Sequence, residues 1–574
     1  MTDADGARGR ARRRARGRAR DLLPAALVWV PLIPLIIGPF ALMVAGGFLK
    51  DPIDLGAGTS TRAVSEVFAS AEMMETLGKT VAMAIGIGVV STAVGAALAW
   101  VAVRAKIRFA GLFEALIMAP LFLSPFITTV AWVWLAAPDS GVLNRMLAAA
   151  HVPDFLRLNV LSFWGIVFVL VTHYVPYAYL FLAGALRNTD GNLEAASYVC
   201  GRGVFQTAVR VLFPLVRPAL LSSVLFISIL AAGMFSVPAI LGARSSFRPL
   251  SVEVYRAAYG YPPDLPRAAA IGTLLTMLSF AGLWLYRRSI RQTRRFVSVT
   301  GRQSSHTVLD LGRLRLLIWP AVLVYMAVTV AIPYAALVVM STTRFLTANL
   351  GDLRFTLDNW RQVGDDVQIR DALVNTVLVS TAVVVACVVI AVPLVYLTDR
   401  VKVRGGGPAT YVAAAPIAIP GIVLGTGVII LYIRSALYGT LALLALAYVA
   451  HYLTHATRIV GNGLAQIEGS LEEAAQISGA SRRRVLATIV APILRPSIFS
   501  AVVMIFIFVV REVDTAVMLY SPDSLVMSVL AWNYVDQGSA AQAAVVGILQ
   551  TLIMIAGLVV ARVLLGVRMG RNTV

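Results

Sequence analysis

Two clusters of histidine and tyrosine stand inside long apolar stretches of this sequence. The first, in VTHYVPYAYLF, contains His173, Tyr174 and Tyr177. The second, in YVAHYLTHATR, contains His451, Tyr452 and His455. Residues four apart share one face of a helix, so each cluster can present its imidazole and phenol groups together. Two roles are open: the side chains line a solute pathway, or they form interhelical hydrogen bonds.

A charged cluster, Arg511, Glu512 and Asp514, interrupts another apolar stretch, FVVREVDTAVML. One interpretation is an internal ion pair that involves Arg511. The other is an acidic lip that receives a cationic solute, because carboxylate oxygens are the ligands that hard metal ions prefer. Glu512 and Asp514 are therefore candidate metal ligands, and the sequence leaves both interpretations open.

The tripeptide Gly78-Lys79-Thr80 resembles the end of a phosphate-binding loop. That loop needs a further glycine five positions before Gly78, where this chain has Met73. The sequence therefore predicts no ATP site.

The composition indicates the elements that must hold these residues. Of 574 residues, 59% are hydrophobic and 14% are charged, with a mean hydropathy of +0.81. A soluble domain has about 25% charged residues, so we expect an integral membrane protein. Most of the Lys and Arg residues behind the net charge of +20 lie in segments predicted to be cytoplasmic. This distribution indicates membrane orientation rather than nucleic-acid binding.

Apolar runs long enough to cross a bilayer as helices predict twelve spans. Six lie near residues 22–48, 80–103, 112–136, 162–186, 217–241 and 268–287. Six more lie near residues 314–340, 375–397, 410–433, 440–464, 495–519 and 542–566. The first run is too long for the core of a cleaved signal peptide, so we expect a retained helix. Because the basic N-terminal tail is predicted to be cytoplasmic, an even count of spans places both termini in the cytoplasm.

The sequence also contains an internal duplication. The segment Leu193 to Pro218 recurs in altered form as Leu471 to Pro496, 278 residues later. We therefore predict a basic cytoplasmic tail (1–21), a first half of six spans (22–290), a cytoplasmic linker (291–313) and a second half of six spans (314–574). Each half contains one cytoplasmic segment before its fifth span, here named the first polar loop (187–216) and the second polar loop (465–494).

A Glu-Ala-Ala start, a glycine and a later proline in these loops resemble the coupling motif of ABC importer permeases. The second polar loop matches it with Glu473, Ala474, Ala475, Gly479 and Pro492. The first matches it with Glu194, Ala195, Ala196, Gly201 and Pro214, but Glu194 lies one position early relative to Gly201. The resemblance implies that each loop docks on an ATPase subunit. The alternative is an ordinary amphipathic helix at the membrane surface.

Nearly the whole chain resembles the fused permeases of the ferric-iron type of ABC importer, notably around FVVREVDTAVML and FSVPAILGARSSFRPLSVEVYRAAYGYPPD. Close relatives of that family serve thiamine, phosphonates and polyamines. The resemblance implies an all-α integral membrane protein with the type I importer permease fold and two pseudo-symmetric six-helix halves, in the bacterial cytoplasmic (inner) membrane. The implied function is import of a small solute, with ferric ion as the first choice, by alternating access.

The implied partners are two ATPase subunits, which carry the ATP and magnesium, an extracytoplasmic solute-binding protein and membrane lipid. We expect the chain itself to bind no cofactor and no nucleic acid, and to catalyse no covalent reaction. A transporter driven by an ion gradient is the alternative from another class. It would have no use for paired docking motifs.

Overall fold

The computed structural model describes residues 25–293, except 106, 108, 190 and 246, and residues 315–565, except 348–350 and 352. The predicted tail (1–21) and most of the predicted linker (291–313) lie outside the described residues. Within the described ranges the chain is helical, with two isolated β-bridges and no β-strand. Helices satisfy their own backbone hydrogen bonds, which a lipid environment requires.

The helices of the first half of the sequence are α1 (Ala25–Gly46), α2 (Arg62–Ala69), α3 (Ala71–Arg104), α4 (Ala110–Phe122), α5 (Pro125–Ala136), α6 (Val142–Ala149), α7 (Phe163–Arg187), α8 (Gly191–Val199), α9 (Val204–Gly233), α10 (Ser236–Leu241), α11 (Leu250–Tyr259) and α12 (Leu265–Ile290). Those of the second half are α13 (Leu316–Ser341), α14 (Asp358–Asp365), α15 (Val367–Arg400), α16 (Gly406–Ala418), α17 (Gly421–Tyr432), α18 (Leu441–Ala465), α19 (Gly469–Ile477), α20 (Arg482–Ile493), α21 (Arg495–Val510), α22 (Ala516–Leu519), α23 (Met527–Asp536) and α24 (Ala540–Val563).

Several long helices begin where a small polar side chain accepts a hydrogen bond from the first turn. Ser70 accepts from the amide of Met73 at the start of α3, and Ser162 accepts from Gly165 at the start of α7. Thr440 does the same for Leu443 in α18. Each cap satisfies an amide that has no partner within its helix.

Eight of the described helices are long and apolar enough to cross a membrane. Three further helix pairs are bent, and if each pair counts as one span, the total is eleven. The bends are 89° between α4 and α5, 113° between α16 and α17, and 71° between α20 and α21. The predicted count of twelve is therefore not confirmed. The predicted span 440–464 does form one 25-residue helix, α18, but α18 is not among the helices apolar enough to count.

The bends coincide with prolines that the sequence places inside predicted spans. Pro125 starts α5 directly after Ser124, and Pro420 precedes Gly421 at the start of α17. Proline has no backbone N–H and disfavours helical geometry at the residue before it, so a helix tends to end there. The predicted continuous spans 112–136 and 410–433 are thus each two helices.

Helices from the two halves of the sequence pack against each other. Helix α1 packs on α17 of the second half, and α13 packs on α5 of the first half. Within the first half, α3 lies against α7 and α9; within the second, α15 lies against α18 and α21. Each first helix therefore contacts the broken span of the opposite half, which ties the two halves into one bundle.

Two buried threonines hold short helices at one end of this bundle. The hydroxyl of Thr80 accepts a hydrogen bond from the amide of Leu250, 3.0 Å away, at the start of α11. The hydroxyl of Thr376 accepts one from Met527, 2.8 Å away, at the start of α23. Both threonines are buried, so each amide depends on that one side chain.

Replacing Thr376 by valine keeps the shape of the side chain and removes the acceptor. We expect Thr376→Val to cost about 1–3 kcal/mol, the penalty for leaving a buried donor without a partner, and to lower the thermal unfolding midpoint of the detergent-solubilised protein. Thr488→Val is the control, because the hydroxyl of Thr488 is exposed and donates only within its own helix. Equal midpoints for the two variants would contradict the assigned role of Thr376.

Candidate functional site

A cavity of about 190 Å³ lies between the two halves of the sequence, where four breaks in helices meet. The breaks are those between α4 and α5, α9 and α10, α16 and α17, and α21 and α22. Helices α7 and α18 complete the wall. The cavity brings together all eight predicted pathway residues: His173, Tyr174, Tyr177, His451, Tyr452, His455, Glu512 and Asp514.

The aromatic rings of each cluster contact one another along one helix. In α7, the ring of His173 lies 5.2 Å from that of Tyr174 and 6.2 Å from that of Tyr177. In α18, the ring of Tyr452 lies 4.9 Å from His451 and 5.9 Å from His455. The prediction that these side chains share a face is consistent with this arrangement.

The polar atoms of the second cluster are only partly satisfied. The Tyr452 hydroxyl donates to the carbonyl of Phe508 at 3.3 Å. The Nδ1 atoms of His451 and His455 are buried and have no hydrogen-bond partner among the described residues. The interhelical hydrogen bonds that were the alternative interpretation are therefore not formed by these two atoms.

Arg511 makes contacts that the sequence did not suggest. Its Nη1 atom donates to the carbonyl oxygens of Leu121 and Leu123, at 2.6 and 2.9 Å, and its guanidinium lies 4.9 Å from the ring centre of Phe508. Leu121 lies in the last turn of α4, and Leu123 lies between α4 and α5. An internal ion pair of Arg511, one of the two interpretations left open by the sequence, is not seen among the described residues, where its hydrogen-bond partners are carbonyl groups of the first half.

Both carboxylates of the charged cluster accept hydrogen bonds from backbone amides. Glu512 accepts from Thr515 and Ala516, at 2.7 and 3.2 Å. Asp514 accepts from the amides of Phe235 and Ser236, both at 3.1 Å, and so joins the break after α21 to the break before α10.

These partners bear on the predicted metal ligands. Among the described residues no group of three or more His, Cys, Asp or Glu side chains is placed to hold a metal ion. Glu512 and Asp514 act as helix caps in this structure, and they line the cavity with both oxygens of each carboxylate accepting a backbone amide.

A glycine allows the equivalent approach on the other side of the cavity. A Cβ atom on Gly233 would lie 3.0 Å from the ring of Pro420, at the break between α16 and α17. The internal repeat aligns Gly233 with Arg511. One contact between halves is therefore made by a close backbone approach, and the other by a long side chain that spans the gap.

The two polar loops have the same local structure. Helices α8 and α19 are each followed by a glycine in the left-handed region, Gly201 with φ 78° and Gly479 with φ 86°. Side chains other than glycine adopt this conformation only at a cost. The chain then enters α9 and α20. The motif glycines are thus explained by backbone geometry.

The loops expose matching residues. Val199 and Ile477, at equivalent positions, are each 88% exposed, and Leu193 and Leu471 are 48% and 49% exposed. The motif residues Ala196, Gly201, Pro214, Glu473, Ala474 and Gly479 are exposed, whereas Ala195, Ala475 and Pro492 are half-buried. Each loop thus carries an apolar surface that no other described part of the chain covers.

Glu194 requires a correction. It was predicted as a docking residue, but its side chain is fully buried and contacts Nη2 of Arg104 through Oε1 at 2.8 Å. Burial raises the pKa of the Glu194 carboxyl above its ordinary value, and Arg104 opposes that shift. Glu194 faces the interior of the chain. The repeat aligns it with Glu472, which is also buried, rather than with the exposed Glu473.

Glu472 makes the corresponding contact. Its Oε1 atom lies 3.3 Å from Nε of Arg400, at the end of α15. Sequence reasoning placed both arginines in cytoplasmic segments but did not predict either ion pair. The usable signal was that Arg104 and Arg400 are separated by the same number of residues as Thr80 and Thr376.

The chain is similar in sequence to membrane components of transport systems. Residues 91–295 match the family described as binding-protein-dependent transport system inner membrane component. The ferric transport system permease protein FbpB of Actinobacillus pleuropneumoniae is 26% identical over 489 residues, which cover 82% of this chain and 68% of that protein. A putative ferric transport system permease protein of Haemophilus influenzae is 26% identical over 466 residues, covering 77% and 69%.

A bacterial ABC transporter for import of the acidic polysaccharide alginate aligns with 46% of this chain and 97% of its own, with 16% identity and a TM-score of 0.37. At that score the likeness does not establish a shared fold. Over most of its length this chain is therefore similar in sequence to proteins named as ferric transport system permeases.

Proposed function

We propose that this chain is the permease subunit of an ATP-driven importer that moves a small solute, with ferric ion as the best candidate, by alternating access. The observation that carries the proposal is the pair of exposed polar loops. Each combines a short helix, a left-handed glycine and an uncovered apolar position, Val199 in one loop and Ile477 in the other. A single amphipathic surface helix would not account for two such loops in register.

The proposed architecture has two pseudo-symmetric halves of six spans, residues 22–290 and 314–574, joined by a cytoplasmic linker. Equivalent contacts support it: Thr80 and Thr376 cap short helices in the same way, and α1 and α13 each pack on the opposite half. The positive-inside rule places both termini and both polar loops in the cytoplasm. In this topology α18 is the tenth span and completes the count of twelve, and its polar groups line the cavity.

The partners follow from the loops and from the topology. Two loops imply two ATPase subunits, which hold the ATP and magnesium, while this chain holds no cofactor. An extracytoplasmic binding protein delivers the solute, because the predicted outer segments are too short to form a capture domain.

The central cavity is the proposed solute pathway. It is enclosed by helix breaks from both halves, so a relative movement of the halves would change its shape and its access. The Nδ1 atoms of His451 and His455 have no hydrogen-bond partner among the described residues. Together with the Tyr177 ring they offer weak polar contacts to a solute in the cavity. Weak contacts suit a site that must release its solute. The two carboxylates of Glu512 and Asp514 and the one guanidinium of Arg511 leave the cavity lining with a formal charge of −1, which favours a cation.

The ferric assignment rests on the printed names of the relatives and on that charge. Thiamine, a phosphonate or a polyamine is the alternative cargo for the same machine. An ion-gradient-driven transporter is the alternative mechanism, and it predicts uptake that needs no ATPase partner. These alternatives are separated by the experiments below.

The first experiment tests docking. Ile477 is 88% exposed, so Ile477→Asp should leave the fold intact while placing a charge in the apolar contact with the ATPase. We expect the ATPase to be lost from the purified complex, because an unpaired charge at a buried interface is strongly unfavourable. Tyr261→Asp is the matched control, since Tyr261 is fully exposed on the predicted outer face. Retention of the ATPase by Ile477→Asp would contradict the docking assignment.

The second experiment tests the mechanism and the cargo. The chain is reconstituted in proteoliposomes with its ATPase, and ATP hydrolysis is measured with the binding protein loaded with ferric ion, thiamine or an aminoalkylphosphonate. We expect at least roughly fivefold stimulation by the ferric-loaded protein, the lower range of typical coupling between sites. Stimulation by another ligand would keep the importer class and reject iron. Solute uptake without the ATPase would reject the class.

A further inference from the structure

Arg104 joins three parts of the first half at one buried point. It is the last residue of α3, and its side chain is fully buried. Its Nη2 atom donates to the carbonyl of Leu186 at 3.0 Å and to the hydroxyl of Thr189 at 2.5 Å, both at the end of α7. The same guanidinium pairs with Glu194 in α8.

Arg400 makes the same set of contacts in the second half. It is the last residue of α15, and its Nη2 atom donates to the carbonyls of Leu464, at 2.9 Å, and Ile467, at the end of α18. Its Nε atom pairs with Glu472 in α19. In both halves one arginine therefore links the end of a long helix, the end of a cavity-lining helix and the helix of a polar loop.

The chemistry of the contact makes the link directional and stiff. The carbonyls at the end of a helix lack intrahelical partners and carry partial negative charge, which a guanidinium satisfies. The planar guanidinium presents five donors in a fixed arrangement, so it can bind several acceptors at once, which a lysine ammonium does with less geometric definition. The contact with each carboxylate is an ion pair, and a buried ion pair is screened much less by solvent than an exposed one.

Adjacent glutamates in the second loop face opposite ways. Glu472 is buried against Arg400, whereas Glu473, the next residue, is exposed. One glutamate thus faces the membrane helices, and its neighbour faces outward on the proposed docking surface. The first loop keeps only the inward residue, Glu194, and has alanine at the outward position.

We propose that Arg104 and Arg400 are positioning residues that fix each polar loop to the cavity-lining helix of its half, so that a movement imposed on the loop moves the wall of the cavity. Helix α7 carries His173 and Tyr177, and helix α18 carries His451 and His455, all of which line the cavity. Each loop helix follows its cavity-lining helix closely in the chain, and the arginine ties that junction to the end of a third helix, α3 or α15. This inference rests on the proposed function, because it assigns a task to loops proposed to bind the ATPase.

The test uses the reconstituted complex of the full chain, its ATPase and its binding protein. The variants target the second pair, because Arg400 is 26% exposed and so is less critical for folding than the fully buried Arg104. Glu472→Gln preserves shape and removes the charge, Arg400→Gln removes the guanidinium, and Arg400→Lys keeps the charge. Two quantities are measured: the amount of ATPase that copurifies, and the ratio of ATP hydrolysis with the loaded binding protein to hydrolysis without it.

We expect the ATPase to copurify with all three variants, because the exposed residues of α19 are unchanged. The stimulation ratio should fall roughly fivefold or more in Glu472→Gln and Arg400→Gln, the range of a typical coupling between sites, and should recover in part in Arg400→Lys. Arg288→Gln is the matched control. Arg288 is exposed near the predicted cytoplasmic end of α12, outside both polar loops, with its guanidinium 5.7 Å from the ring centre of Trp284, so its ratio should not change.

Three results would overturn the inference. The first is an unchanged ratio in both glutamine variants. The second is loss of the ATPase from them, which would make the pair part of the docking surface. The third is an equal fall in Arg288→Gln, which would indicate a general effect of charge at this end of the bundle. Failure of the unmodified chain to retain the ATPase would instead reject the proposed function, so the two failures are distinguishable.

Discussion

A break in a helix inside a membrane exposes backbone amides and carbonyls that must find polar partners, because lipid offers none. Around the central cavity this constraint is met by residues 511–514. Arg511 satisfies two carbonyls near the bend between α4 and α5, Asp514 satisfies two amides before α10, and Glu512 satisfies the start of α22. The charged groups that first suggest a binding site are therefore also the groups that make a broken-helix architecture possible.

This dependence links the two halves of the sequence. Arg511 and Asp514 both reach from the second half into the first, whereas at the position that the repeat aligns with Arg511, Gly233 packs directly against Pro420. The contact between the halves is thus polar and adjustable on one side and a close backbone approach on the other. A cavity whose wall is held by hydrogen bonds between halves can change shape when the halves move, without exposing a large apolar surface.

The sequence predicted the parts of this account that depend on local spacing. The four-residue separation of His451 and His455 predicted a shared face, and the repeat predicted that both histidine clusters would occupy equivalent helices. It did not predict the partners of Arg511, because Leu121 and Leu123 lie nearly four hundred residues away and expose carbonyls only if the span is broken there. Pro120 and Pro125 signalled the break, but apolar periodicity alone favoured one continuous span.

The register of the first polar loop was a second limit. Counting back from Gly201 placed Ala195 at the motif position and left Glu194 unexplained. Only burial shows that Glu194 and Glu472 form one equivalent pair, each with an arginine at the end of a long helix. A buried ion pair is difficult to recognise from sequence, because the arginine that defines it lies far away along the chain.

The proposed function requires that the cavity open to opposite sides of the membrane in the different nucleotide states of the ATPase partner. The most direct measurement is labelling of a single cysteine, Tyr177→Cys, in a chain whose native Cys200 and Cys387 are replaced by serine and alanine. A membrane-impermeant maleimide is applied from each side of the membrane, with the ATPase partner either free of nucleotide or trapped with ATP. We predict labelling from opposite sides in the two states, with Tyr261→Cys labelled from the outer side in both. Labelling of the Tyr177→Cys thiol from the same side in both states, or from neither, would contradict the account.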